Sequence, residues 1–436
     1  MANEYYLGID FGTSNSSVAL LPKDASSMFS AVKATVLPLG KNGSSTIPSF
    51  LFFPESGGEY YIGDEAIEHY LSSNAHGRFM QSIKTLLPDS TFTGTNVSGW
   101  GHYGAADLVF CILSELKHLI QTIIDGDITA VVLGRPAIFS DDDEEEKLAE
   151  QRLLRAAKRA GFEHVRLQRE PIAAALSYKR SLKKPELVFV GDFGGGTSDF
   201  TVMRLSPGRV DDIGHSDDIL AVNGVSVAGD AFSSAIMRHQ ILRHFGFNAQ
   251  YSQYRSSSDD QWLPVPTSIH HAICEWHRIP FLQNNRNRHL IQEMIRYSND
   301  KQGFMRLQAV IEENLGYSLF QSIQEAKCDL SSKDTSRVRF NHSIINIDEE
   351  ITRESFEEAI EDHIEKLGLC IDRTLATADI AAESVDAVFL TGGTSQTPRI
   401  HRLMVEKFGE GRLRSGDAFT SVAEGLALSA PYLFKE

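Results

Sequence analysis

The stretch Gly191 to Phe200, GDFGGGTSDF, follows the apolar run LVFV and has an earlier counterpart in Asp10-Phe11-Gly12-Thr13-Ser14, which follows YYLGI. Each word leads into a second apolar run, SVAL or FTVM, so each reads as two strands joined by a turn rich in Gly, Thr and Ser. The earlier Thr13-Ser14 aligns with Thr197-Ser198. Two such hairpins point to a duplicated α/β structure in which they face each other across a cleft. Between and after them the pattern mixes strands and helices. Ile128 to Leu133, ITAVVL, is a near-continuous apolar run, as expected of a strand buried on both faces. The acidic run Asp141 to Glu146 precedes a helical pattern that ends at Gly161. That arrangement predicts a helix start capped by Ser140 and favoured by the helix dipole, in preference to a metal site. Glu170-Pro171 opens another helix, and the strand Val385 to Leu390 leads into Thr391-Gly392-Gly393-Thr394-Ser395.

A chain of 436 residues suits two lobes. The expected division is lobe I over 1–184, with an insertion at about 42–104, and lobe II over 185–436. Lobe II carries a helical insertion at about 230–314 and a C-terminal helix, about 418–436, that packs back on lobe I. With 58 acidic against 42 basic residues the net charge is -16, a field that repels nucleic acid and anionic lipid and excludes polyanion binding as the main activity. Cys111, Cys274, Cys328 and Cys370 form no CxxC pair, as expected of reduced thiols in a cytoplasmic protein. Neither a signal peptide nor an apolar stretch long enough to span a membrane is evident.

Gly194, Gly195 and Gly196 let backbone N–H groups converge without Cβ obstruction, a nest suited to phosphate oxygens. The flanking aspartates would repel phosphate unless a divalent cation stood between, so the pairing implies hydrated magnesium. His270, Cys274 and His277 fall at i, i+4 and i+7, a spacing open to zinc, but no fourth ligand is evident and a small helical core is the favoured reading.

GIDFGTSNSSVAL resembles the first phosphate motif of the heat-shock protein 70 (DnaK-type) chaperones, GDFGGGTSDF the second, and FLTGGTSQTP their adenosine motif. VVLGRPAIF and QREPIAAALSY resemble the two connecting elements, including Pro136 and Glu170, and SVAEGLALSA resembles the closing helix. The likeness runs in order from about Tyr5 to Tyr432, and several stretches look closest to the YegD-like branch. It implies the duplicated actin-like (ribonuclease H-like) ATPase fold, two lobes closing on ATP or ADP with magnesium. By the same resemblance Gly12, Thr13, Ser14 and Asn15 would hold phosphate together with Gly194, Gly195 and Gly196, and Asp10 and Asp192 would bind magnesium through water. Glu170 and Asp199 would orient the attacking water, with Asp10 and with Thr197 beside the γ-phosphate. Gly392, Gly393 and Thr394 would approach the adenosine, and Gly229 and Asp230 the ribose. Lys327 and Ser331 match the family's E-x-x-K-x-x-x-S helix face, which touches ribose and adenine, and Gln324 stands at its first position.

The departures from the family pattern carry expectations of their own. Gln324 replaces the helix's glutamate, while Cys328 and Gln396 replace the two cationic groups that sandwich adenine, each a loss of about 1 kcal/mol or more. Ile67 stands where the family has the lysine that points at the γ-phosphate. A preorganised charge stabiliser is commonly worth about 10² to 10³ in rate, so hydrolysis is expected to be slow or absent unless Arg78 or another cation substitutes. Lys84 matches a different family lysine and is not expected to be that substitute. DDDEEE stands where the family has the arginine that relays nucleotide state. Because the chain ends at Glu436, just after the closing helix, no peptide-binding domain is expected, and any switch would act with a separate protein partner. A small-molecule (sugar-type) kinase of the same superfamily and a non-catalytic nucleotide-binding scaffold are the alternatives.

Overall fold

The structure is a computed structural model that describes residues 4–23, 34–73, 76–140, 142–179, 182–207, 218–252, 262–414 and 421–434. Asp141 in the acidic run, most of the polar stretch that begins at Tyr251, and the expected start of the C-terminal helix therefore lie outside the described residues. The chain divides into two compact units. One comprises Met1–Gly229, Lys366–Gln396 and Ile400–Glu436, the other Asp230–Glu365 and Thr397–Arg399.

The first unit contains two sheets with one topology. In the first sheet, β1 (Glu4–Phe11) runs antiparallel to β2 (Asn15–Pro22), and β3 (Thr35–Val36) and β4 (Thr46–Pro48) both pair with β2. On its other side β1 is parallel to β5 (Asp127–Arg135), which is parallel to β6 (Val165–Arg169). In the second sheet, β7 (Glu186–Phe193) runs antiparallel to β8 (Ser198–Leu205), followed by antiparallel β9 (Ile219–Val225). Its parallel side holds β10 (Ala387–Thr391) and β11 (Leu413–Arg414). The orders β6-β5-β1-β2-β3 and β11-β10-β7-β8-β9 thus match strand for strand, in direction as well as in neighbour. The duplicated α/β fold expected from the two Asp-Phe-Gly words is present in the backbone pairing.

Strand alternation in the first sheet sends two sets of side chains to two cores. Leu7, Ile9, Phe11, Val18 and Leu20 pack with α1 (Ala105–Ile123) and with Ala149, Leu153 and Ala156 of α2 (Asp143–Arg159). Tyr6, Ala19, Leu21, Ala130 and Val132 meet Ala173 and Ala174 of α3 (Glu170–Lys179) and Val422, Ala423, Leu426 and Ala427 of α4 (Ser421–Leu433). This second contact admits no side chain at Gly8, where a Cβ would lie 2.3 Å from the Ala427 nitrogen, nor at Gly425, where it would lie 1.9 Å from the Ala173 carbonyl oxygen.

The start of α2 corrects the expected cap. Asp142, not Ser140, is the N-cap, its carboxylate accepting from the backbone N–H of Glu144 at 2.9 Å and Glu145 at 3.1 Å. Ser140 instead donates its hydroxyl to Glu145. The carboxylates further along α2 meet a cation from the sheet: Arg135, buried at the end of β5, pairs with Glu146 and Glu150 and donates to the carbonyls of Pro136 and Ala137. The charges of this connection are therefore ordered with arginine on the strand and acid on the helix.

In the second unit the helices Thr267–Ile273, Asn285–Tyr297, Lys301–Glu312 and Gly316–Asp329 precede the hairpin Thr335–His342/Ile345–Thr352. The spacing of His270, Cys274 and His277 does not place them on one helix face, because the helix stops at Ile273 and Cys274 is its C-cap. Cys274 is buried, and the His270 ring lies beside Phe247. No helix among the described residues is long and apolar enough to cross a membrane.

Candidate functional site

The two hairpin turns have equal length. Phe11 pairs with Ser16 and Phe193 with Ser198, so residues 12–15 form one turn and 194–197 the other. Asn15 is thus the counterpart of Thr197, and Ser16 of Ser198, in place of the sequence alignment of Thr13-Ser14 with Thr197-Ser198. Gly12 is required sterically, since a Cβ there would sit 2.1 Å from the Asn15 carbonyl oxygen. In the second turn the Gly194 N–H donates to the Thr197 carbonyl at 3.0 Å. The turns approach each other: a Cβ on Gly196 would lie 3.4 Å from the Thr13 methyl. Thr13, Ser14, Gly194, Gly195, Gly196 and Thr197 are all partly buried.

The Gly194 carbonyl joins three of the motifs. It accepts from the Thr394 hydroxyl at 2.7 Å and from the Gly229 N–H at 3.3 Å. Gly392, at φ +77°, lies against the second hairpin, where a Cβ would be 2.2 Å from the Phe193 carbonyl oxygen and 3.0 Å from an Asp192 carboxylate oxygen. Gly393 opens the short 3-10 turn Gly393–Gln396. The Thr394 hydroxyl thus bonds the second hairpin turn, a contact distinct from the approach to adenosine that the resemblance implies for it.

Four carboxylates gather beside these turns. Glu170, the first residue of α3, lies over Gly134 of β5, where a Cβ would come within 3.0 Å of its Oε1. Asp192 and Asp199 are direct cross-strand partners, and Asp199 lies over Gly224 of β9, where a Cβ would be 2.6 Å from its Oδ1. Thr197 donates its hydroxyl to Asp199 at 3.2 Å. Burial pushes the Asp192 carboxyl up to about 6, with the charge of Glu170 adding to it. Burial, then Asp192 and Glu170, push the Asp199 carboxyl up to about 7. Asp10 is also raised, by burial and then by the charge of Glu170, with Lys84 opposing.

Lys84 brings a positive charge among them. Its Nζ donates to Glu170 Oε1 at 2.7 Å, and both side chains are only 9% exposed. Burial works against the charged amine, yet Glu170, Asp10 and Asp192 outweigh it and hold its pKa above the ordinary lysine value. Lys84 thus stands beside these carboxylates, a placement that its match to a different family lysine did not suggest. Arg78 lies instead in register with Phe53 in a small separate sheet, where burial lowers its pKa. Ile67 is partly buried on the helix Gly63–Ser72. The signal that sequence reading passed over was the pairing of Gly134 and Gly224 with acidic neighbours: each glycine leaves the volume that a carboxylate fills.

The residues expected around adenosine in the second unit form their own cluster. Lys327 donates to the Ser233 hydroxyl at 3.0 Å, which bonds Gln324 Oε1 at 3.2 Å. Burial lowers the Lys327 pKa and raises that of Asp230, each opposed by the charge of the other. Gln324 also reaches Cys328 Sγ, at 3.5 Å. Ser331 falls past the helix, whose C-cap is Leu330, so the one-face spacing holds for Gln324 and Lys327 but not for Ser331.

A family model described as Hsp70 protein matches residues 79–252 and 297–434. The chain is similar to Chaperone protein DnaK of Thermosipho africanus, 25% identical over 454 residues that cover 100% of this chain and 60% of that protein. Chaperone protein DnaK of Mycoplasmopsis pulmonis is 27% identical over 440 residues, covering 99% and 59% respectively. That of Thermotoga maritima is 25% identical over 447 residues, covering 99% and 60%. The chain spans about 60% of the length of these curated relatives.

Proposed function

The chain belongs to the Hsp70 protein family, and on that premise we propose that it binds ATP or ADP with magnesium and acts as a chaperone-like nucleotide switch with slow hydrolysis. Its fold is accordingly the duplicated actin-like ATPase fold. The observation that carries the reading is the Gly194 carbonyl, which ties the second phosphate turn to Thr394 and Gly229 while Gly196 meets Thr13 of the first turn. One backbone atom thereby links three of the motifs expected to hold nucleotide.

In this reading the N–H groups of residues 12–15 and 194–197 cradle phosphate oxygens. No three Asp, Glu, His or Cys side chains among the described residues are close enough together to enclose a bare metal ion, so in this reading a hydrated magnesium would meet the carboxylates through its water shell, beside the ammonium of Lys84. Asp10 and Asp192 would hold it through water, and the bound ion would supply neutralisation of phosphate charge. Asp199, with its carboxyl near 7 and its Oδ2 accepting from Thr197, is suited to take a proton from an attacking water that Glu170 helps to orient. Apolar Ile67 supports slow turnover, and Cys328 and Gln396 support weak grip on the base. Lys327, Gln324 and Asp230 are the polar groups proposed for ribose and adenine. We place the protein in the cytoplasm, in the YegD-like branch, acting on a separate protein partner.

Titration calorimetry with ATP and with ADP, each with and without magnesium, tests the reading. Magnesium-dependent binding of both is expected, and wild-type protein that binds neither would overturn it.

A further inference from the structure

We infer that Lys84 is the cation that meets the terminal phosphate of the nucleotide, taking the place left by the apolar side chain at position 67. The inference rests on the nucleotide reading above and concerns where, within that site, the positive charge comes from.

Three features argue for it. The first is placement. The Lys84 amine donates to Glu170, the carboxylate proposed to orient water, and its charge is stabilised by Asp10 and Asp192, the two aspartates proposed to hold magnesium. A group bonded to the first and electrostatically coupled to the other two sits where attacking water, cation and terminal phosphate have to meet. An ammonium has three N–H donors, and Glu170 takes one.

The second feature is preorganisation. Lys84 lies in the 3-10 turn Ile83–Leu86, entered through Ser82 at φ +54°, a left-handed conformation that a non-glycine residue seldom adopts. The far side of the turn is held by Arg152 of α2, whose guanidinium donates to the carbonyls of Leu86 at 3.1 Å, Leu87 at 2.9 Å and Asp89 at 2.9 Å. An amine on a fixed turn loses little freedom when an anion arrives, which is what a charge stabiliser needs.

The third feature is the alternative. A buried ion pair is a weak source of stability, because desolvation offsets the attraction. Keeping Lys84 at 9% side-chain exposure beside three acids is therefore better explained by a charge still to be bound than by the pair alone.

A cation on the terminal phosphate favours ATP over ADP. Calorimetry of wild type, Lys84→Gln and Lys84→Arg with magnesium, using ADP and the non-hydrolysable β,γ-imido analogue of ATP, measures that preference. Lys84→Gln is expected to weaken binding of the ATP analogue about tenfold or more beyond any effect on ADP, and Lys84→Arg to restore most of the difference. Equal weakening of both ligands, or none, would mean a merely structural lysine and would overturn this inference alone. Wild-type protein that binds neither ligand would instead remove the nucleotide reading beneath it. Should Lys84→Gln fail to fold, the double variant Lys84→Gln/Glu170→Gln, which removes both charges of the pair, must show the same selective loss relative to Glu170→Gln.

Discussion

The two hairpins share strand order, pairing register and turn length, yet they differ across from their first aspartate: Asp10 faces Ser17, whereas Asp192 faces Asp199. They differ also in the turn. Residues 12–15, GTSN, put side-chain hydroxyls and an amide at the site, while residues 194–197, GGGT, put mostly bare backbone there. The duplication thus supplies a symmetric frame, and the chemistry lies in where the symmetry breaks. Burial, then the charge of the directly opposed Asp192 and of Glu170, pushes the Asp199 carboxyl up, whereas Asp192 is pushed up by burial and by Glu170.

The largest expected effect tests the frame. Gly8 of β1 faces α4 backbone, with a Cβ only 2.3 Å from one atom and 2.4 Å from another, whereas a Cβ on Gly191 of β7 would meet the Phe193 ring at 2.9 Å. Backbone cannot yield as a side chain can. Gly8→Ala is expected to cost about 3 kcal/mol and Gly191→Ala about 1 kcal/mol, read by chemical unfolding. Equal losses would mean that the two sheets are covered alike at these positions.

Next in size is the cation. Asp10→Asn and Asp192→Asn are each expected to weaken magnesium-dependent nucleotide binding by about 10- to 100-fold. Asp192→Asn removes the charge opposite Asp199 as well, so it alone should move the pH dependence of the site downward. A pH profile changed by Asp10→Asn and left unmoved by Asp192→Asn would reverse the roles given to the two hairpins.

The frame was legible in the sequence because an Asp-Phe-Gly word between apolar runs specifies strand, turn and strand locally. The equal turn lengths were not, since only cross-strand register pairs Asn15 with Thr197. Lys84 escaped for a related reason. It lies 86 positions from Glu170, on a turn positioned by Arg152, and no local spacing encodes a contact made through a third element. Ser140 and Asp142 are both of a type that caps helices well, and only the backbone decides which one sits at the helix start.

A smaller effect follows from the opposed carboxylates. The Asp199 carboxyl, at about 7 when folded, is raised above its unfolded value near 3.8. The folded state therefore binds more protons, and the contribution to stability is full below about pH 4 and lost as pH rises to about 7. Nucleotide-free protein without magnesium should lose roughly 1 to 3 kcal/mol from this group between pH 5 and pH 8, measured by urea unfolding, and Asp199→Asn should flatten that slope. A slope unchanged in Asp199→Asn would assign the titration to another group.

The smallest effect probes the contact between the turns. Gly196 has no positive φ, so alanine is compatible with its backbone, and its Cβ would stand 3.4 Å from the Thr13 methyl, a tight but yielding neighbour. Gly196→Ala should leave stability nearly unchanged and weaken nucleotide binding about 3- to 10-fold, because the added methyl narrows the space between the two phosphate turns. Thr13→Ser keeps the hydroxyl and removes the methyl that Gly196→Ala would press. The double variant should then bind more tightly than Gly196→Ala alone, a coupling that a mutant cycle by calorimetry resolves. Strictly additive losses would mean that the two turns do not meet in the bound state, and that the duplicated hairpins hold nucleotide independently.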